Sequence, residues 1–253
     1  KHEIFVHLDP SERIVDLNRG NNAISQGLTI RPKSADAIEP TSDIRKIGDG
    51  IYQVGRVTVD VNKREVVMNG EIHIISDDTI LEFFAVSKLG KTHESLIMLD
   101  VEPIHIQLAL LRLNMIPGMN LTVKGDPHDP QGDPVEIWVE WEHGGGTVRH
   151  RAEELVWDTM EGHSMQRTHW VFTGGRFIRN QFTAQLFHNV IAVYRDPDSI
   201  FNHPLLGGKD DRTYRVNTDV VPAQGTPVRV IAHQIMTPTN QRLDEPANQR
   251  LGE

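Results

Sequence analysis

The sequence has no cysteine. Disulfide staples, thiolate metal sites and cysteine-bound iron–sulfur clusters are therefore excluded, and whatever holds the fold must be packing and hydrogen bonding. It also has no run of about 18 apolar residues, so no helical membrane span is expected. Blocks of Lys or Arg are missing, and the net charge is −9. Sequence-independent nucleic-acid binding, which neutralises phosphates with clustered cations, is not expected. Aromatics make up 6% of the chain and apolar residues 38%. Both shares are low, so a globular centre with polar flanking segments is expected.

Two further features bear on location. A cysteine-free chain suits an oxidising, extracytoplasmic compartment (periplasm, cell surface or medium). The first residue is Lys1 rather than Met, which fits a mature form whose signal peptide has been removed. Thirteen histidines are present, about twice the usual share, but they are scattered and form no metal-ligand spacing. The metal, if any, is left open.

Residues 1–46 read as an extended arm. Ile4, Val6 and Leu8 alternate as in a short strand, and then Asn18, Gly20, Asn21, Asn22, Gly27, Pro32 and Pro40 favour extended and turn conformations. The globular part spans 47–235. Ile51 to Val61 alternates and turns through Asn62-Lys63-Arg64 into Glu65–Met68, which predicts a hairpin. Asn69-Gly70 predicts a tight turn, Ile72–Ile75 the next strand, and Leu81–Val86 another. A helix is predicted after Asp100, with Pro103 in its first turn, Ile104, Leu108, Leu111 and Met115 on one face, and Pro117-Gly118 at its end. Val135 to Glu142 alternates cleanly and turns at His143–Gly146 into Thr147–Ala152. That register sets Glu140 opposite Arg149 and Trp138 opposite Arg151, an ion pair and a cation–π contact on the surface. Strands are further predicted at Trp170–Thr173, Val190–Tyr194 and Val228–His233. From Met236 the chain is a polar tail.

Several of these segments, taken in order, resemble one family. They are Gly90-Lys91-Thr92-His93-Glu94-Ser95, Pro103 with Ala109-Leu110-Leu111, Pro117-Gly118, Pro134–Ile137, Trp170–Gly174, Ile191–Tyr194 and Asp196-Pro197. Together they look like the YdjY-type domain, over roughly residues 48–235. The resemblance implies a domain of exported bacterial proteins without an established activity. Some members are described as carrying cysteine-bound iron–sulfur, which a chain without thiolates cannot do.

The candidate site residues fall in two places. Lys91, His93, Glu94 and Ser95 bring a base, an acid, a hydroxyl and an ammonium into one hexapeptide between two apolar strands. They are the candidate catalytic set, or else a structural polar cluster at a strand end. Thr173, Gly174 and Gly175 could turn backbone N–H groups toward an anion, or make a bulge. Asp196, Asp198, Asp210 and Asp211 offer oxygens suited to calcium but lack the spacing of a calcium loop. His105 with Arg112, His188 and His203 read as surface or hydrogen-bonded residues.

The expectation is thus an α+β fold: one mostly antiparallel β domain with one principal helix, flanked by an extended N-terminal arm (1–46) and a polar C-terminal tail (236–253). The expected role is an exported interaction or structural subunit, with protein partners or copies of itself contacted by the arms. A hydrolase-like enzyme, or a metal- or small-ligand-binding module centred on Gly90–Ser95, is the alternative.

Overall fold

The computed structural model describes residues 44–76 and 78–237. The predicted arm and tail lie outside these residues, apart from 44–46 and 236–237. The strands are β1 (Ile44–Gly48), β2 (Ile51–Val54), β3 (Val57–Asp60), β4 (Glu65–Ile72), β5 (Phe83–Ser87) and β6 (Ser95–Leu99). Helix α1 (Pro103–Arg112) precedes the hairpin β7 (Pro134–His143) and β8 (Gly146–Arg151). Then come β9 (Val156–Asp158), β10 (His163–Ser164), β11 (Trp170–Phe172), β12 (Phe177–Ile178), β13 (Gln181–Phe182) and the short helix α2 (Thr183–Phe187). The remaining strands are β14 (Asn189–Ala192), β15 (Phe201–Asn202), β16 (Tyr214–Val216) and β17 (Pro227–Gln234).

Eight strands close on themselves in the order β4-β17-β7-β11-β15-β14-β5-β6, with β6 returning to β4. The α+β expectation is therefore corrected: the fold is mostly β, a closed barrel rather than an open antiparallel domain with a helix. Closure pairs the backbone groups that open edges would leave free. An eight-stranded barrel is just wide enough for side chains to fill, and the core here is filled. Phe84 lies 6.0 Å from Trp170, and Phe172 lies 6.2 Å from Phe201, ring centre to ring centre.

Strand β4 makes the closure possible by forking. Its first half pairs with β3 (Val66 opposite Val59), its second half with β6 (Gly70 opposite Leu99), and β17 runs along its other side. Asn69-Gly70, predicted as a turn, lies inside this strand. A Cβ on Gly70 would sit 2.5 Å from the Met98 carbonyl oxygen, so glycine serves here to let β6 approach the backbone.

Two pairs in the barrel are parallel, β5 with β6 and β14 with β15. Parallel neighbours usually need a crossover of a dozen or more residues, yet residues 88–94 alone return the chain from the end of β5 to the start of β6. Short connections between apolar strands read as antiparallel hairpins, which explains why the barrel was not evident in the sequence.

The β7–β8 register agrees with expectation, with Trp138 opposite Arg151 and Glu140 opposite Arg149. Val135, Ile137, Val139 and Trp141 are buried. Arg149 lies 4.5 Å and Arg151 5.3 Å from the Trp138 ring centre. Arg151, however, is buried rather than on the surface. It binds Glu136 at 2.8 Å and Glu153 at 2.9 Å, the latter fully buried. Helix α1 starts at Pro103 as predicted, but it buries Ile106, Ala109 and Leu110 and leaves Leu111 exposed. Its leucines surround the axis, so periodicity alone could not select the face. It ends at Arg112, and Asn114 follows in the left-handed region (φ 58°).

Candidate functional site

The parallel pair β5–β6 starts at one rim of the barrel, and the rim residue before β5 is Glu82. Its N–H donates to the Glu94 carbonyl at 3.1 Å, and its own carbonyl accepts from Val193 and Tyr194 at 3.0 Å each. The backbone is thereby fixed, and the carboxylate faces a cleft of about 520 Å³ lined with Glu94, Asp211 and Arg212. Lys124 approaches Glu82 at 2.7 Å and Lys91 at 3.0 Å, while Lys91 also binds Glu94 at 2.8 Å.

These contacts decide the protonation states. Burial works to raise Glu82, but the hydrogen bonds from Lys124 and Lys91 outweigh it and hold the carboxyl below its usual range. Burial likewise opposes the charge on Lys91, and the hydrogen bonds to Glu94 and Glu82 outweigh it, pushing the ammonium above the usual lysine value. Glu82 and Lys91 are thus driven away from neutrality in opposite directions. A general acid or base works best with a value near the working pH, and this pair is tuned the other way.

The structure divides the hexapeptide. Lys91 and Glu94 share the cleft. His93 lies in a 3-10 turn (Thr92–Glu94) with its side chain 75% exposed, and its Nε2 is 3.7 Å from Glu94. Ser95 is fully buried, and its hydroxyl donates to the Ile97 carbonyl at 3.0 Å. A serine nucleophile needs a base within hydrogen-bond reach, and the hydroxyl is turned to a carbonyl instead.

Thr173, Gly174 and Gly175 lie together where β11 ends, with their donors turned inward. Gly174 N–H donates to Ile200 and Gly175 N–H to Ser199, both at 3.0 Å. The Thr173 hydroxyl meets the same two carbonyls at 3.1 and 3.2 Å and accepts from Asn202 at 2.9 Å. They belong to a buried network around Asp196, whose carboxylate accepts from Asn189 (2.6 Å), Ser199 (3.1 Å) and the Asp198 N–H (3.0 Å). Burial pushes Asp196 above the usual carboxylate range despite these bonds. Asp198 is taken by Arg176 at 2.9 and 3.0 Å, and Asp210 by Arg212 at 3.4 Å. Among the described residues no group of three or more His, Asp or Glu is placed to hold a metal ion. No helix among them is long and apolar enough to cross a membrane.

Sequence reasoning missed two features. The first is Arg195, fully buried, which donates to the carbonyls of Asp126, His128 and Pro204 at 2.7–3.0 Å and to Asp129 at 2.9 Å. An Arg-Asp after a strand reads as a surface turn, so nothing local signalled its burial. The second is the segment 177–187. The hairpin β12–β13 turns through Arg179 and Asn180, both with positive φ, as two-residue hairpin turns require. Arg176 anchors its base to Asp198 and to the Thr122 carbonyl at 2.7 Å. On this anchored support Phe177 is 60% exposed, Leu186 51%, Phe187 48% and Ile178 46%. Phe177 stacks on Phe182 with ring centres 5.2 Å apart.

The molecule is thus a closed β-barrel domain with a charge-paired rim cleft and an exposed apolar hairpin segment. The YdjY domain model matches residues 57–233, most of the chain, and the chain belongs to the YdjY domain family. No curated protein and no solved structure matches it.

Proposed function

We propose that this protein is an exported interaction or structural subunit of a larger protein assembly, and that the β12–β13 hairpin with α2 is one of its contact surfaces. The observation that carries the reading is the exposure of Phe177, Ile178, Leu186 and Phe187 within one short segment, on a hairpin held by the Arg176–Asp198 pair. Exposed apolar side chains grouped on one anchored segment mark interaction sites, because leaving them in water costs free energy that contact with a partner recovers. The charge-paired state of Glu82 and Lys91 supports a binding role for the rim over acid–base catalysis. The cysteine-free composition supports an extracytoplasmic location. In this reading the polar segments before residue 44 and after residue 237 contact neighbouring subunits.

The test is light scattering of the purified chain, with mass spectrometry of whatever co-purifies from the native source. A defined multimer or a stoichiometric partner is expected, and it should be lost in the Phe177→Ser/Phe187→Ser double variant with the circular dichroism spectrum unchanged. A bare monomer with no partner from the native source overturns the reading.

A further inference from the structure

Strands β10, β9 and β16 form a small sheet of their own, in that order, separate from the barrel ladder. Alternation turns Val156, Asp158, Tyr214 and Val216 inward, where all four are buried. The other set of side chains faces out. Trp157, on the central strand, is directly opposite Ser164 on one side and Arg215 on the other, and residues opposite each other across a ladder share a face. Trp157 and Arg215 are both half-buried there.

Asn217 bounds one end of this face. Its N–H donates to the Leu155 carbonyl at 3.0 Å, which carries the β9–β16 ladder one pair further. Two residues beyond Arg215, it lies on the same side of the strand. Its Nδ2 donates to Ser164 Oγ at 3.1 Å and to the Glu154 carbonyl at 2.7 Å. Ser164 belongs to β10, so the first of these bonds crosses β9 and fixes the amide beside the indole. Both Nδ2 hydrogens are then in use, and Oδ1 remains as an acceptor. The chain turns next, the Val220 and Val221 N–H groups both donating to the Asn217 carbonyl at 3.1 Å. Thr218 and Asp219 are exposed at the tip of that turn.

Trp157, Arg215, Asn217, Thr218 and Asp219 line one cavity of about 400 Å³, within the range of small-molecule sites. Its chemistry narrows the ligand. One cation and one carboxylate line it, so the wall is balanced and calls for no charged ligand. Asp78, 3.9 Å from Arg215, is almost fully exposed and stands outside the lining. The remaining polar groups are mixed. The guanidinium and the indole N–H donate, Asn217 Oδ1 and the Asp219 carboxylate accept, and the Thr218 hydroxyl does both. A purely apolar ligand would take these groups out of water without replacing their hydrogen bonds. A ring with an apolar face and hydroxyls along its edge meets both demands, since its C–H groups pack on the flat indole and each hydroxyl donates and accepts.

We propose that this cavity binds a neutral saccharide, one ring packed on Trp157 and its hydroxyls held by Arg215, Asn217 and Asp219. The carboxylate and the amide oxygen take hydroxyl hydrogens, and the guanidinium fork donates to the oxygens of neighbouring hydroxyls. The site stands independently of the assembly reading, because it shares no residue with the hairpin surface.

The test is an NMR titration of the full chain that follows the indole N–H signals of Trp138, Trp141, Trp157 and Trp170. Maltose, cellobiose, xylobiose and N,N′-diacetylchitobiose are the probes, with sorbitol, adenosine and glucose 6-phosphate as controls. At least one disaccharide is expected to shift, saturably, the signal that is missing from Trp157→Phe. Sorbitol, which has the hydroxyls without the ring, should leave it in place. Asp219→Ala, at an exposed turn, is expected to weaken binding tenfold or more, and Arg215→Gln fivefold or more. The pentasaccharide of the same linkage separates two sources, tenfold tighter binding marking a polysaccharide chain and equal binding a free sugar, and either supports the proposal. It is overturned if none of the four disaccharides saturates, if only another tryptophan's signal shifts, if any control binds as tightly, or if Asp219→Ala binds like the parent.

Discussion

His203 donates from Nε2 to the Val193 carbonyl at 2.7 Å with its ring fully buried, packed edge-on between Trp170 and Tyr214 at 5.4 and 5.3 Å. Burial lowers its value to about 4, with the nearby Arg195 charge acting in the same direction and the Val193 bond opposing. The folded state therefore keeps this histidine neutral where an unfolded chain would protonate near 6.5. Stability from this group is fully present above about pH 6.5 and is lost as pH falls toward 4, by at most about 3 kcal/mol. Urea midpoints taken between pH 7 and 4.5 should fall with acidity. In His203→Gln, which can still donate to Val193 but does not titrate, the fall over that window should flatten.

Arg195 ties the loop 122–129 to the barrel through carbonyls that have few other donors. Arg195→Leu leaves those carbonyls without their donors, while Asp129, 72% exposed, is simply solvated, and a loss of about 2–3 kcal/mol is expected. Arg195→Lys should recover only a minor part, because one ammonium cannot span donors that the guanidinium reaches in two directions. Chemical denaturation of the two variants measures both effects, and near-equal stability of the lysine variant and the parent would refute the account.

Gly174 has φ +79°, and a Cβ there would collide with Pro117. Gly174→Ala should therefore destabilise by about 2 kcal/mol or more, combining left-handed strain with overpacking. Gly144 has a similar φ of +61° but open space around its Cα, so Gly144→Ala isolates the backbone cost, about 1 kcal/mol. Thermal melts of the pair separate packing from conformation.

Gly70→Val tests the barrel closure directly. The new side chain would press on the Met98 backbone and force β6 away from β4. Faster amide exchange is expected along Leu96–Leu99, with protection in the β7–β17 ladder retained. Uniform loss of protection over all strands would show that closure and ladder form one cooperative unit.

The turn signal at Asn69-Gly70 illustrates why the barrel was illegible. A glycine that permits a turn and a glycine that permits a third strand to approach look the same in one dimension. The crossover at 88–94 misled for a related reason, since strand direction is a property of the pair rather than of either segment. The rim site was partly legible. Lys91 and Glu94 do meet, three residues apart, but their shared partner Glu82 and its second cation Lys124 come from other parts of the chain.

What local chemistry determines was readable in the sequence. The alternation of Val135–Glu142, the register of Trp138 with Arg151, the start of α1 at Pro103 and the family itself depend on residues near one another or on ordered motifs. The tertiary structure alone decided the closure of the sheet, the burial of Arg151, Arg195 and His203, and the meeting of charges at both ends of β5 and β6. Those outcomes rest on contacts between distant segments, where the loss of water and the supply of partners are fixed together by packing.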